Sequence, residues 1–277
     1  MNKNKILYVS DLDGTLLNRD AELSRYTTVM LNGLLANGLN FSVATARTLA
    51  STRIILANLS LHFPIILMNG VLIYDLEKQC YIKAYTLSPE SVTMVIRTLR
   101  LFDITGFMYE LNNEELVTYH ECLEQKPLRD FVKERITRYN KTFQHAEGFS
   151  FISPENIIYF TLLDTHDRLK SIHDALIAIP GLSLTFYKDN YSPDLWYLEL
   201  FSDKASKENA VIYLRDTYGY NRVVGFGDNL NDLPMFAACD IKIAVENANP
   251  EVKAAADYIC DTNDNDGVAK WIEKNLL

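Results

Sequence analysis

The sequence predicts an α/β protein whose doubly wound, Rossmann-like parallel sheet is interrupted by an inserted α+β domain. Short apolar runs alternate with helical patterns in the first third of the chain. Paired strand-like runs occupy the middle, and the strand–helix alternation returns in the last third. Such alternation favours a parallel sheet covered on both faces, whereas paired strands mixed with helices are typical of an α+β unit. We therefore predict a core formed by residues 1–83 and 191–277 and an inserted domain from 84 to 190.

The composition is that of an ordinary globular protein. Of the 277 residues, 48% are hydrophobic and 23% are charged. The formal net charge of -9 argues against a nucleic-acid partner, which would require a basic surface. Because no apolar run is long enough for a membrane span or a signal-peptide core, we expect a cytoplasmic protein without a membrane partner. The oligomeric state is left open.

The first and last thirds of the chain contain the elements predicted for the core. Ser24 is a candidate N-cap of the first helix, and Gly38 follows the end of that helix. In chain order the predicted core elements are the strand Ile6–Val9, a helix from about Leu23 to Asn37, the strand Phe41–Ala44, a helix around Ala50–Leu59, the strand Ile65–Met68, the helix Lys207–Tyr218, the strand Val223–Phe226, a helix near Leu233–Ala238, the strands Ile241–Val245 and Tyr258–Cys260, and a helix after Asp266.

The middle of the chain has a different pattern. Pro89 stands at the first position of a helix that Ser88 opens. The runs Gly106–Glu110 and Glu115–Tyr119 flank Asn112-Asn113 and predict a hairpin. The other predicted elements are a helix over about Leu128–Tyr139, the strand Ile157–Leu163, a helix with Leu169, Ile172, Leu176 and Ile177 on one face, and the strands Leu184–Tyr187 and Trp196–Phe201. The aromatic residues predicted to lie mostly in the core of this domain include Tyr109, Tyr119, Tyr187, Tyr191 and Trp196.

Two acidic residues follow the first predicted strand, in the run Asp11–Thr15. Open α/β sheets place their ligand sites at the carboxyl ends of strands. Two carboxylates that leave a strand tip together repel each other by about 4 kcal/mol at 4 Å and an effective dielectric of 20. A divalent cation offsets that repulsion, and Mg²⁺ prefers carboxylates together with a phosphate oxygen. With Gly14 permitting a tight turn, the run predicts a magnesium site for a phosphate-containing ligand.

A second acidic run, Gly227–Asp232, follows the predicted strand Val223–Phe226. Taken alone, this run is explained equally well as a polar turn in which Asp232 caps the next helix. Because both acidic runs end strands of the same predicted sheet, we expect them to face the same crevice.

These runs make the sequence similar to the haloacid dehalogenase superfamily of phosphohydrolases, in particular to its Cof-like branch. The resemblance spans essentially the whole chain. The first family motif, DxDGT, is matched by Asp11–Thr15, and the fourth, GDxxND, by Gly227–Asp232. The second motif is matched by Thr45, the third by Lys207, and the Asn-Gly pair that follows the family's third strand by Asn69-Gly70.

The resemblance implies four catalytic residues. Asp11 would be the nucleophile that attacks phosphorus, and Asp13 would protonate the leaving oxygen and then deprotonate the attacking water. The Thr45 hydroxyl and the Lys207 ammonium would hold the transferring phosphoryl oxygens. A lysine in the first turn of a helix is unfavourable for the helix dipole, which fits a lysine held by nearby anions.

The resemblance also implies a metal site and a substrate side. The Mg²⁺ ligands would be the carboxylates of Asp11 and Asp228 and the carbonyl of Asp13, with Asp232 as a further ligand or as a residue that orients metal-bound water. The residues implied on the substrate side are Arg47, Asn69, Gly70 and Asn231.

The function implied is that of a Mg²⁺-dependent phosphatase that forms an aspartyl-phosphate. Its partner would be a small phosphorylated metabolite, such as a sugar phosphate or a phosphorylated cofactor, selected by the inserted domain. A phosphomutase or phosphotransferase of the same superfamily is an alternative, and a non-catalytic sensor of phosphorylated ligands is another. Asp13 disfavours both the sensor and a dehalogenase, since neither needs a second carboxylate in the first motif.

Three residues depart from the usual pattern of the branch. Ala46 and Asn229 replace glycines of the second and fourth motifs, and Glu208 replaces the glycine after the motif lysine. None of these changes removes a charged group from the implied machinery. They call into question the shape of the substrate mouth rather than the chemistry.

Overall fold

A computed structural model describes residues 5–189 and 194–276, and its fold class is the predicted one. The chain forms two compact units. The first unit contains the chain up to Lys83 and from Ser206 onwards, and the second runs from Ala84 to Ala205. Among the helices of the two described ranges, none combines the length and the apolar character that a membrane span requires.

The helices and strands follow the predicted alternation. In chain order they are β1 (Ile6–Ser10), α1 (Arg25–Ala36), β2 (Phe41–Val43), α2 (Leu49–Ile55), β3 (Ile65–Leu67), β4 (Leu72–Asp75), β5 (Cys80–Ala84), α3 (Pro89–Leu101), β6 (Gly106–Asn112), β7 (Glu115–His120), α4 (Lys126–Tyr139), β8 (Gln144–His145), β9 (Ile157–Asp164), α5 (His166–Leu176), β10 (Leu182–Lys188), β11 (Trp196–Ser202), α6 (Lys207–Tyr218), β12 (Arg222–Gly227), α7 (Leu233–Ala237), β13 (Ile241–Val245), α8 (Pro250–Ala255), β14 (Tyr258–Cys260) and α9 (Gly267–Lys274).

The main sheet of the first unit is parallel. Its strand order is β14-β13-β12-β1-β2, and every neighbouring pair runs in the same direction. All of β1 is buried, which is typical of a strand inside a parallel sheet covered on both faces. Since β1 lies between β2 and β12, the chain segments that leave the carboxyl ends of these three strands emerge side by side.

Helix capping fixes where two helices of the first unit begin. The Ser24 hydroxyl accepts a hydrogen bond from the main-chain N–H of Thr27 at 2.9 Å, which confirms the predicted cap of α1. The Ser206 hydroxyl accepts one from the N–H of Asn209 at 2.9 Å. This cap makes Lys207 the first residue of α6, as the sequence predicts.

The second unit has a mixed sheet of its own, in the order β10-β11-β9-β6-β7-β8. Helices α3 and α5 cover one face through a buried apolar cluster that includes Val95, Ile172 and Phe160. On the other face the ring of Phe131, from α4, stacks on that of Phe107 with 4.5 Å between the centroids. Alternate residues along each strand therefore face two separate layers of side chains.

The second unit extends beyond its predicted end at residue 190. Strand β11 pairs antiparallel with β10 and β9, so it belongs to the inserted sheet rather than to the core. Sequence pattern identified β11 as a strand, but a strand's pattern does not tell which sheet it joins. Residue 190 and Tyr191 lie outside the described residues.

Several local predictions differ from the structure. Ile177 is 63% exposed because α5 ends at Leu176, so it does not belong to the buried face of that helix. Met68 was predicted as the end of a strand, but its backbone is left-handed (φ 49°). Strand β3 therefore ends one residue earlier, at Leu67. The elements that sequence reasoning did not identify are β4, β5, β8 and α8.

Candidate active site

Asp11 occupies the first position after β1. Its N–H donates a hydrogen bond to the carbonyl of Phe226 in β12 at 3.0 Å, so the ladder between the two strands continues to this residue. Only 6% of Asp11 is exposed. The rigid parallel sheet therefore holds one carboxylate in a nearly dry environment at its carboxyl edge.

The turn after Asp11 brings the first and fourth motifs into contact. Gly14 has a left-handed backbone (φ 78°), and a Cβ atom there would overlap the carboxylate of Asp228. The Thr15 hydroxyl donates a hydrogen bond to Oδ1 of Asp228 at 2.8 Å. Glycine is thus needed at position 14 both for its backbone conformation and for the close approach of Asp228.

Asp232 organises the loop after β12. Its Oδ2 atom accepts hydrogen bonds from the main-chain N–H groups of Asp228 (3.0 Å) and Asn229 (3.1 Å). Asp232 is completely buried. The carboxylate is therefore a fixed part of the loop that presents Asp228.

Lys207 links this loop to the first strand. Its Nζ atom donates hydrogen bonds to Oδ1 of Asp11 at 2.6 Å and to Oδ1 of Asp232 at 2.7 Å. Only 2% of Lys207 is exposed. Burial alone would lower the pKa of Lys207, but the carboxylates of Asp11 and Asp232 raise it above the ordinary lysine value, so the ammonium stays charged.

The start of α6 packs against the loop after β3. A Cβ atom on Gly70 (φ 95°) would overlap the carbonyl of Ser206. Gly70 therefore allows the helix end that carries Lys207 to approach the strand tips. The predicted substrate-side role of Gly70 is thus accompanied by a packing role that positions Lys207.

Three carboxylates converge in this site. Asp11, Asp228 and Asp232 each offer an oxygen atom, and these atoms lie within 4.8 Å of one another. Burial, together with the neighbouring carboxylates, raises the pKa of Asp11 well above its ordinary value even though Lys207 opposes the shift. Burial and Asp232 raise the pKa of Asp228 to about 7. One lysine does not balance this negative charge, and a divalent cation at the cluster would do so.

The Asp13 carboxylate is not one of these three and pairs with Arg47. Nε of Arg47 donates to one carboxylate oxygen of Asp13 and a terminal guanidinium nitrogen donates to the other, both at 2.6 Å. The side chains of Arg47 and Asp13 are 17% and 30% exposed. The two carboxylates of the first motif thus have different surroundings. Asp11 is buried and accepts a hydrogen bond from Lys207, whereas Asp13 accepts two from Arg47.

The loops after β2 and β3 complete the site. The buried Thr45 hydroxyl accepts a hydrogen bond from the N–H of Arg47 at 3.1 Å. The carbonyl of Thr45 accepts one from the N–H of Asn69, whose backbone is left-handed (φ 56°). The amide of Asn231 donates to Oδ1 of Asn69 at 3.3 Å. All the predicted site residues are therefore carried by adjoining segments of the first unit.

The three departures from the usual motifs are compatible with the backbone. Asn229 has an extended conformation (φ -125°) and caps the following turn, so no glycine is required there. Ala46 has no positive φ, and Glu208 lies in the first turn of α6. These substitutions leave the hydrogen bonds of Asp232 and Lys207 intact.

Sequence reasoning did not identify two asparagines that support the site. The amide of Asn247 donates a hydrogen bond to the carbonyl of Gly14 at 2.7 Å. The N–H of Asn249 donates one to the carbonyl of Asp228 at 2.8 Å. Asparagine is common in loops, so neither residue carries a signal that the sequence alone would reveal.

Comparison with known proteins finds one matching family model and relatives that span almost the whole chain. A family model described as haloacid dehalogenase-like hydrolase matches residues 8–272. The 5-amino-6-(5-phospho-D-ribitylamino)uracil phosphatase YcsE of Bacillus subtilis is 27% identical over 273 residues, covering 98% of this chain and 96% of the relative. A second phosphatase of that name, YwtE, also from Bacillus subtilis, is 26% identical and covers 96% of both chains. In fold, the chain resembles a haloacid dehalogenase-like hydrolase from Bacteroides thetaiotaomicron, with a TM-score of 0.81, 24% identity and coverage of 98% and 99%.

Proposed function

The chain belongs to the haloacid dehalogenase-like hydrolases, and we propose that it is a Mg²⁺-dependent phosphatase that forms an aspartyl-phosphate on Asp11. The observation that carries this proposal is the convergence of Asp11, Asp228 and Asp232 around a single buried lysine. A purely structural cluster of this kind would be costly, since its charges are buried and unbalanced.

The donor set fits a hard divalent cation. Both oxygens of Asp232 accept hydrogen bonds from the protein. Asp11 and Asp228 each have one oxygen, Oδ2, that makes no hydrogen bond to a described residue. We therefore assign Asp11, Asp228 and the Asp13 carbonyl as metal ligands, and Asp232 as the residue that orients Lys207 and the loop. Bound Mg²⁺ would neutralise the cluster and withdraw charge from the phosphoryl oxygens.

The first step is displacement at phosphorus. A carboxylate oxygen of Asp11 forms a bond to phosphorus as the ester P–O bond breaks. Asp13, which must enter this step as the neutral acid, donates its proton to the departing oxygen. The hydrogen bond from Lys207 fixes the Asp11 carboxylate in one orientation. The Lys207 ammonium and the Thr45 hydroxyl stabilise the phosphoryl oxygens as negative charge develops on them.

The second step regenerates the enzyme. Asp13, now a carboxylate, accepts a proton from water as the water oxygen attacks the aspartyl-phosphate, and the Asp11–phosphorus bond breaks. Both steps require Asp13 in a defined orientation. We therefore assign Arg47 first as the residue that positions Asp13, with substrate contact as a further role.

The substrate proposed is a small phosphorylated metabolite. The sequence relatives from Bacillus subtilis are named for a phosphorylated ribityl compound, so such compounds come first in a substrate panel, followed by sugar phosphates and phosphorylated cofactors. We assign substrate selection to the second unit, Ala84–Ala205. Asn69, Gly70 and Asn231 are assigned to the substrate side of the reacting centre.

A panel of phosphorylated metabolites tests the proposal directly. We expect Mg²⁺-dependent release of inorganic phosphate from at least one member and from the generic ester para-nitrophenyl phosphate. Product analysis by phosphorus NMR separates hydrolysis from transfer. Isomerised or transphosphorylated product without free phosphate would identify a mutase or phosphotransferase, and binding without turnover would identify a sensor.

A further inference from the structure

A lysine is buried in the second unit without a matching negative charge. Lys141 follows the left-handed residue Asn140 (φ 49°) that ends α4, and only 9% of it is exposed. Its Nζ atom lies over the ring of Tyr109, 4.5 Å from the centroid, and 5.0 Å from that of Phe143. These contacts place the ammonium between aromatic rings rather than in water.

Among the described residues, no carboxylate compensates this ammonium. Within residues 5–189 and 194–276, Nζ of Lys141 makes no hydrogen bond and no ion pair. The charged group that interacts electrostatically with Lys141 is another cation, Arg135. Burial, together with the charge of Arg135, lowers the pKa of Lys141 well below its ordinary value. Contact with ring faces recovers only part of the solvation that a buried ammonium loses. A methionine would fill similar space without that cost.

The surroundings of Lys141 are polar as well as aromatic. The Arg135 guanidinium lies 3.4 Å from the ring centroid of Phe131 and pairs with Glu134 at 3.1 Å. Arg135 also interacts electrostatically with three phenols of the same sheet, those of Tyr109 in β6, Tyr187 in β10 and Tyr197 in β11. Glu199 is a buried carboxylate of β11. It is hydrogen-bonded to Tyr187 and makes no ion pair with Lys141.

We propose that Lys141 and Arg135 form an anion-binding site in the second unit, which accepts a phosphate or carboxylate group of a small ligand. The two cations lie over neighbouring rings, since the centroids of Phe143, under Lys141, and Phe131, under Arg135, are 6.3 Å apart. Two cations so placed repel each other, and an anion between them would turn that repulsion into two charge-assisted hydrogen bonds. The aromatic rings around Lys141 exclude water and strengthen these bonds. Both residues belong to the second unit, so the site does not depend on the hydrolytic activity of the first unit.

Binding of inorganic phosphate to the full-length chain tests this site. Titration calorimetry in EDTA at pH 7 and low ionic strength removes the metal-dependent affinity of the carboxylate cluster for phosphate. We expect saturable binding that weakens at least tenfold in Lys141→Met and stays within about threefold of wild type in Lys141→Arg, which keeps the charge. Lys133→Met, at an exposed position of α4, is the matched control and should bind like the wild type. An acetate titration shows whether a carboxylate is preferred to phosphate.

A second measurement follows the chemical reactivity of the Lys141 amine. Trace acetylation followed by peptide mass spectrometry should show that phosphate protects Lys141 in the wild type while Lys133 reacts unchanged. This readout decides the question even if Lys141→Met does not fold. Phosphate affinity unchanged in a folded Lys141→Met protein, or no protection of Lys141 by phosphate or acetate, would show that the lysine only packs on the aromatic rings and would overturn the proposal.

Discussion

The guanidinium of Arg47 holds the carboxylate of Asp13 through two hydrogen bonds of 2.6 Å each. Bidentate pairs of this kind fix orientation as well as charge. Asp11, only two residues earlier in the chain, is instead buried and accepts a hydrogen bond from Lys207. The two carboxylates of one short motif thus have different partners, and both partners lie far away in the sequence.

The first prediction separates Asp11 from Asp13. Asp11→Asn should form no phosphoenzyme, because the nucleophile is gone. Asp13→Asn should retain the nucleophile but lose the general acid, which is typically worth about 10²–10⁴-fold. With para-nitrophenyl phosphate, whose leaving group needs no proton, Asp13→Asn should accumulate aspartyl-phosphate, visible as added mass after acid quench. Added mass on Asp11→Asn and none on Asp13→Asn would reverse the assignment.

The second prediction concerns Arg47. Arg47→Met should lower kcat about tenfold or more for alkyl phosphates and less for para-nitrophenyl phosphate, because the misplaced residue is the acid. Arg47→Lys should recover only part of the loss, since an ammonium cannot form the bidentate pair. In the Arg47→Met/Asp13→Asn double variant the effects should not add. Strict additivity, or a change in KM alone, would point to substrate binding instead.

The third prediction is dependence on Mg²⁺. Excess EDTA should abolish phosphate release, and Mg²⁺ should restore it. Calcium should restore little activity, because its larger and more flexible coordination shell would misplace the Asp11 carboxylate. Steady-state rates in Chelex-treated buffer measure this. Undiminished turnover in EDTA would rule out the proposed role of the carboxylate cluster.

The fourth prediction links Asp228 to the pH dependence of stability. In the folded, metal-free protein the pKa of Asp228 is raised to about 7, above the value of about 3.9 expected in the unfolded chain. The folded state therefore binds the proton more tightly, so this residue makes stability fall as pH rises from about 4 through 7. Asp228→Asn should remove that slope and, at pH 8, stabilise the metal-free protein by up to about 4 kcal/mol.

Urea denaturation of wild type and Asp228→Asn at pH 5 and pH 8 measures this effect. The difference between the two proteins should be large at pH 8 and small at pH 5. Saturating Mg²⁺ should stabilise the wild type more than the variant at pH 8. A variant that is less stable than the wild type at pH 8 without metal would contradict the prediction.

The fifth prediction compares two glycines with similar positive φ values. Gly38 (φ 91°) has nothing within 4 Å of an added Cβ atom, whereas at Gly70 (φ 95°) the atom would overlap Ser206. Gly38→Ala should cost about 1–2 kcal/mol from backbone strain alone. Gly70→Ala should destabilise the protein more and lower kcat, because Ser206 must move and Lys207 moves with it. Equal stability losses with unchanged activity would show that the loop absorbs the overlap.

The sequence by itself determined the fold class and supplied the residues of the candidate site. Strand and helix periodicity is local, so β1, α6 and β12 were identified close to their observed ends. The position of Lys207 at the start of α6 was predictable because Ser206 is a cap residue. The two acidic runs were predicted to face each other because parallel strands end at one edge of a sheet.

Only the tertiary structure decided which distant groups meet. The pairing of Arg47 with Asp13, and the two hydrogen bonds that occupy Lys207, depend on the packing of loops from separate strands. Strand β11 belongs to the second unit because it pairs with β9 and β10, and hydrophobic pattern does not encode that pairing. The burial of Lys141 among aromatic rings was equally invisible, since a lysine after a helix is ordinarily solvated and only the surrounding fold removes it from water.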